Sequence, residues 1–183
     1  MIINPPNVPR SQYDESWRSS FWRIPVLIHG GVQIVLTTLI FILEIATLAV
    51  STYSATGAGI WCSIPFLIAA ILTILLVVKF DRSRVWATYV CIAQIVLLVF
   101  CFILIGIVGN YVSTQQTLVS LYGSYSISAS TFQTKYQIMQ AQLAFAILLL
   151  FSGIAYIVYY CVVTYLALWR PHRTLDTPHL FRE

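Results

Sequence analysis

One face of the first long apolar stretch carries polar side chains that could bind an ion, transfer a proton or form hydrogen bonds inside a membrane. The stretch runs from about Ile24 to Val50, and its one carboxyl group belongs to Glu44. A charge inside hydrocarbon costs from roughly 2.5 kcal/mol upward, so an acidic residue in such a stretch points to a function. Intervals of three, four and seven residues place the polar side chains on one helical face: His29, Gln33, Thr37, Glu44, Thr47 and Ser51.

Two interpretations of this polar face are open. It could form an ion or proton site, or it could bond the first helix to its neighbours through hydrogen bonds. Such interhelical bonds contribute about 0.6–2 kcal/mol each. The other apolar stretches carry no second charge to pair with Glu44, which favours hydrogen bonding over charge. Gln94, in the middle of the third apolar stretch, is the natural partner.

The fourth apolar stretch repeats small and aromatic residues on a common face. A face of this kind is more typical of a packing seam than of a ligand cage. We predict that its members pack against neighbouring helices: Ser152, Gly153, Tyr156 and Tyr160.

Motifs for catalysis are missing from the sequence. The three histidines, His29, His172 and His179, lack metal-ligand spacing, and no Cys–His pair is spaced for zinc. Paired carboxylates, a glycine-rich phosphate loop and a nucleophile elbow are also absent. We therefore expect no metal, no cofactor and no enzymatic activity.

The amino-acid composition indicates the class of protein in which these residues lie. The chain of 183 residues is 59% hydrophobic and 9% charged, with a mean hydropathy of +0.84. A water-soluble globule carries about one-quarter charged residues, so that class is excluded. Crossing a bilayer takes roughly 20 apolar residues. The sequence therefore predicts an all-α integral membrane bundle of four transmembrane helices, over residues 24–50, 60–78, 85–108 and 138–168.

Basic residues predict how the four helices are oriented. Nine of the ten Lys and Arg residues lie on one side of the predicted spans, and only Lys135 lies on the other. The positive-inside rule assigns the rich side to the cytoplasm. Both tails, 1–23 and 169–183, are then cytoplasmic, and 110–137 is the outer loop. This topology explains the net charge of +4 without a nucleic-acid partner.

Two segments outside the spans have their own expectations. The leader 1–23 is proline-rich and reads as a flexible tail, with Trp17 and Trp22 at the water–lipid boundary. The first span is too long for the core of a signal peptide, so we expect it to be retained. The outer loop 110–137 is expected to be irregular apart from a short helix near Gln115–Leu121.

Two sequence segments resemble a known group of tetraspan proteins. HGGVQIVLTTLIFIL (His29–Leu43) and GAGIWCSIPFLIAAILTI (Gly57–Ile74) are similar to the openings of the first and second spans in the membrane-spanning four-domain family, the group of the B-lymphocyte surface antigen. The resemblance implies a non-enzymatic four-helix protein that dimerises or joins receptor and channel complexes.

Together these observations favour a multi-pass protein of the plasma membrane that contacts the lipid bilayer and other membrane subunits, or further copies of itself. A structural or accessory subunit is the first expectation. The alternative is an oligomeric ion channel or small transporter that uses the polar face of the first span.

Overall fold

The chain folds into four long α-helices. The structure, a computed structural model, describes residues 17–50, 57–122 and 129–169. The helices are α1 (Arg23–Val50), α2 (Ala58–Val78), α3 (Arg84–Tyr122) and α4 (Ala129–Trp169). A helical turn at 17–20 precedes α1, and no strand occurs in these ranges. The all-α prediction is confirmed.

Each helix is long and apolar enough to cross a membrane. An 18-residue segment of each has a mean hydropathy of 2.2, 2.6, 3.1 or 2.3, in chain order. Their outer faces are covered with exposed apolar side chains; Ile24, Phe102 and Phe151 are 72%, 62% and 61% exposed. Exposed apolar surface of this extent is suited to lipid rather than to water. The protein is a multi-pass membrane protein.

The four helices close into a ring in chain order. Each packs against its neighbours in the sequence, and α1 also packs against α4. The turn between α2 and α3 spans only residues 79–83, so these helices are antiparallel neighbours. We call the bundle end with this turn and the start of α1 the tail end, and the opposite end the extension end.

The helices of the extension end are longer than the hydropathy pattern predicts. Segment 110–137 was expected to be an outer loop, but α3 continues to Tyr122 and α4 begins at Ala129. The short helix expected at 115–121 is therefore part of α3. No Gly or Pro interrupts 110–122, and Gly123 follows directly. Hydropathy marks where the apolar run stops, whereas a helix continues until a residue breaks it.

The apolar core consists of two clusters at different depths. The extension-end cluster includes Ile40, Phe66 and Leu97, and the tail-end cluster includes Leu76 and Tyr156. Along every helix, the residues between the two clusters lie near the middle of the bundle. Gln33 and Gln94, two of the polar side chains of the sequence pattern, meet in this middle layer.

The end of the leader closes the tail end of the bundle. Trp17 and Phe21 are each 1% exposed and belong to the tail-end cluster. The Trp17 indole Nε1 donates a hydrogen bond of 3.0 Å to the carbonyl oxygen of Arg82. The expectation of a flexible tail with Trp17 at the lipid boundary is therefore wrong for residues 17–22, although Trp22 is 69% exposed. Residues 1–16 lie outside the described part of the chain.

Candidate functional site

A network of three polar side chains joins α1, α2 and α3 in the middle layer. Gln33 and Gln94 exchange two hydrogen bonds, from Nε2 of Gln33 at 2.8 Å and from Nε2 of Gln94 at 3.0 Å. Gln94 Nε2 also donates to the Thr73 hydroxyl at 3.1 Å. All three residues are 0% exposed. The prediction that Gln94 is the partner of the first span's polar face is confirmed, and we call these residues the central network.

The threonines on the polar faces bond mainly to their own helices. The Thr37 hydroxyl donates a hydrogen bond of 2.8 Å to the carbonyl oxygen of Gln33, four residues earlier. The Thr73 hydroxyl donates one of the same length to the carbonyl oxygen of Ala69. Thr47 donates to the carbonyl oxygen of Glu44 at 2.7 Å. Such bonds satisfy a buried hydroxyl without a second helix. Glutamine has the length to reach across the core, so the amides make the contacts between helices.

A second polar contact joins α1 to α4 nearer the extension end. Gln142 Nε2 donates a hydrogen bond of 2.7 Å to Oε2 of Glu44. The residues are 0% and 3% exposed respectively, so Glu44 faces protein and not lipid. Gln142 Oε1 is buried and has no partner among the described residues. We call these two residues the Glu44–Gln142 pair.

Gly59 lets α2 approach the Glu44–Gln142 pair closely. A Cβ atom at Gly59 would lie 2.5 Å from Gln142 Nε2 and 2.8 Å from Glu44 Oε2. These separations are shorter than van der Waals contact. The pair is therefore covered by bare backbone, and three helices meet at one carboxyl group.

The predicted α4 seam packs against α1 and α3. The ring of Tyr156 lies 5.6 Å from the ring of His29, and Ser152 Oγ lies 3.5 Å from His29 Nδ1. A Cβ atom at Gly153 would lie 2.9 Å from the side chain of Leu98. The Tyr160 hydroxyl contacts the Thr88 hydroxyl at 2.9 Å.

The structure thus brings the predicted polar residues together at three depths rather than at one site. His29 lies with the α4 seam, Gln33 and Gln94 lie in the central network, and Glu44 lies near the extension end. Ser51 falls outside the described residues. Within residues 17–50, 57–122 and 129–169, no group of three or more His, Cys, Asp or Glu residues could hold a metal ion.

Three residues in or beside the central network and the Glu44–Gln142 pair are not among the predicted site residues: Thr73, Gln142 and Gly59. Gln142 carried a usable signal, because it is an amide inside the predicted span 138–168 and such groups need a partner. Thr73 and Gly59 carried none, since a threonine in an apolar stretch is common and Gly59 precedes the predicted span 60–78.

Comparison with known protein families, curated proteins and solved structures finds no match to this chain. The polar contacts must therefore be interpreted from their own chemistry. They form bonds between helices, and they have the burial and geometry of structural contacts.

The close approach at Gly59 predicts the effect of a single methyl group. We expect Gly59→Ala to lower the free energy of unfolding by about 1 kcal/mol, because crowding of a packed core costs roughly 1–3 kcal/mol and alanine's helix propensity returns part of that. Gly31→Ala is the matched control, since nothing lies within 4 Å of a Cβ atom there. Reversible unfolding in detergent micelles measures both. Equal stability of the two variants would contradict the close approach.

Proposed function

We propose that this protein is a non-enzymatic four-span subunit that plays a structural or accessory role in a membrane complex or homo-oligomer. One observation carries the proposal: the polar side chains of the first span are used in hydrogen bonds within their own bundle. Gln33 bonds to Gln94, and Glu44 bonds to Gln142. Groups that hold helices together in this way are not arranged to carry an ion.

The apolar layers between the polar contacts support the same proposal. Ile40 and Phe66 are each 0% exposed and lie, along their helices, between the central network and the Glu44–Gln142 pair. Trp17 and Phe21 fill the tail end. A pore through one bundle would need polar or wet walls along its length.

The alternative, an oligomeric ion channel or small transporter, has one observation in its favour. Gln142 Oε1 is buried next to a carboxyl group and has no partner among the described residues. A buried oxygen without a partner, on a side chain bonded to a carboxyl group, could accept a proton or contact a small cation. Ion flux through the reconstituted protein, compared with flux through its Glu44→Gln variant, separates this alternative from the subunit role.

The partners we propose are lipids and other membrane-protein chains, or further copies of this chain. The resemblance of His29–Leu43 and Gly57–Ile74 to the membrane-spanning four-domain family supports association with receptor or channel complexes. The apolar outer faces of the helices supply surface for such contacts.

Extraction in mild detergent followed by native mass measurement tests the subunit role. We expect a discrete assembly that contains other chains or several copies of this 20.7 kDa chain. Recovery of the monomer alone, from native membranes and without a co-purifying chain, would contradict the proposal. A tagged soluble-domain fusion extracted in parallel controls for nonspecific capture by the resin.

The proposed orientation is a further prediction. We propose that both tails are cytoplasmic and that the protein lies in the plasma membrane; the nine-to-one distribution of basic residues supports this orientation. Epitope tags on either end should resist protease added outside intact cells, and they should be cleaved once the cells are permeabilised. Cleavage of a terminal tag on intact cells would refute this orientation.

A further inference from the structure

The tail end of the bundle concentrates positive charge around a single carboxylate. Asp81 lies 3.3 Å from a guanidinium nitrogen of Arg18, 2.9 Å from one of Arg23 and 3.8 Å from one of Arg82. Within the described ranges Asp81 is the only carboxylate at this end, and one carboxylate cannot neutralise three guanidinium groups. Arg84 begins α3 and lies at the same end of the bundle, on a cavity wall that it shares with Arg18 and Arg82.

Backbone contacts fix the position of the Arg82 side chain. Arg82 Nη1 donates to the carbonyl oxygens of Arg18 at 2.8 Å and Phe21 at 3.1 Å. Asp81 and Arg82 both have positive φ angles, of 41° and 60°. Residues other than glycine adopt this conformation at a cost of order 1 kcal/mol or more, which tertiary contacts must offset. The turn between α2 and α3 is therefore held to the leader in one arrangement.

Two cavities open among these residues. One has a volume of about 440 Å³ and is lined by Arg18, Arg82 and Arg84 together with Trp17, Thr88 and Tyr89. The other has a volume of about 540 Å³ and is lined by Arg18, Arg23 and Arg82 together with Trp22 and Ile24. Volumes of 300–1,000 Å³ are typical of small-ligand sites.

Both cavities continue into apolar surface of the membrane-spanning helices. Val85 and Tyr89, on the wall of the first cavity, are 61% and 54% exposed, and Ile92 one turn further along α3 is 52% exposed. Ile24, on the wall of the second, is 72% exposed. A ligand that fits this arrangement has an anionic head and an apolar body. Guanidinium groups bind phosphate with good geometry.

We propose that the tail-end cavities bind the phosphate headgroup of an anionic phospholipid. Arg18 and Arg84 bind the phosphate in the first cavity, and the acyl chains lie along the exposed face of α3. A free phosphate ion shares the headgroup chemistry but would leave the apolar walls bare. The proposal does not depend on the subunit role or on the orientation, because a lipid nanodisc presents both membrane faces.

Native mass measurement of lipid binding tests the proposal. The full chain is released from nanodiscs of phosphatidylcholine alone and from nanodiscs that also contain phosphatidylserine. We expect phosphatidylserine to be retained in preference to phosphatidylcholine. The double variant Arg18→Gln with Arg84→Gln should weaken that retention roughly twenty-fivefold, since each basic residue near a membrane surface contributes roughly fivefold.

Lys79→Gln is the matched control, because Lys79 is an exposed cation on the same turn and lines neither cavity. It should weaken the retention by at most about fivefold, the general attraction of one basic residue to an anionic membrane surface. An equal loss in this control, or equal retention of the two lipids by the parent protein, would overturn the proposal. Inorganic phosphate added to the detergent-solubilised protein should compete weakly; displacement at concentrations that match the lipid's would assign the site to a free anion instead. If the double variant does not fold, the parent protein's retention of phosphatidylserine relative to phosphatidylcholine still tests the proposal.

Discussion

Replacing Gln94 with leucine is expected to lower the free energy of unfolding by about 3 kcal/mol. The substitution removes two hydrogen bonds to Gln33 and one to Thr73. It also leaves the Gln33 amide, which is 0% exposed, without its partner. A stranded buried polar group costs about 1–3 kcal/mol, more than the net gain from the bond itself. Reversible unfolding in mixed detergent micelles measures the change.

The double variant Gln33→Leu with Gln94→Leu should recover most of this loss. Replacing both partners by apolar groups removes the stranded amide, and the Thr73 hydroxyl keeps its bond to the Ala69 carbonyl oxygen. Ile95→Leu, at a position that is 50% exposed, is the control for a change on the lipid-facing side. A single variant as stable as this control would mean that the central network does not hold the helices together.

Two substitutions of Glu44 should affect the stability of the protein very differently. Glu44→Leu should destabilise the protein by about 2 kcal/mol, because it leaves the buried Gln142 amide without an acceptor. Glu44→Gln keeps the shape and an acceptor oxygen, and its stability should stay within about 0.5 kcal/mol of the parent. The same unfolding assay compares both with Ile45→Leu, a neighbour that is 47% exposed. If the leucine variant matched this control, the carboxyl group would have no structural role.

Much of the middle of the bundle could be predicted from the sequence, because hydrophobic period and burial are linked along a helix. Gln33, Thr37, Glu44 and Thr47 are all buried, at the intervals that the pattern indicates. Gln94 was expected as a partner because an amide inside a span needs one. The same logic applies to Gln142, which lay closer to the expected end of its span and was overlooked.

The ends of the bundle were predicted less well, and for a physical reason. Trp17 contacts the Arg82 carbonyl oxygen, and Arg23 pairs with Asp81, across 65 and 58 residues of sequence. No local period records such pairings, since they arise only once the turn between α2 and α3 has folded against the leader. The sequence pattern does not predict the helical extensions after residue 110 in α3 and before residue 137 in α4. Polar residues can continue a helix past the end of its apolar run.

We propose a structural role for the intramembrane polar residues, which hold the helices together and do not conduct ions. Ion flux into proteoliposomes that contain the parent protein or the Glu44→Gln variant tests this role, with the oligomeric state of each sample measured alongside. The structural role predicts flux no higher than in protein-free vesicles for both proteins, at unchanged assembly. A flux that the parent supports and that Glu44→Gln abolishes, while the variant still assembles, would contradict it and establish the channel or transporter.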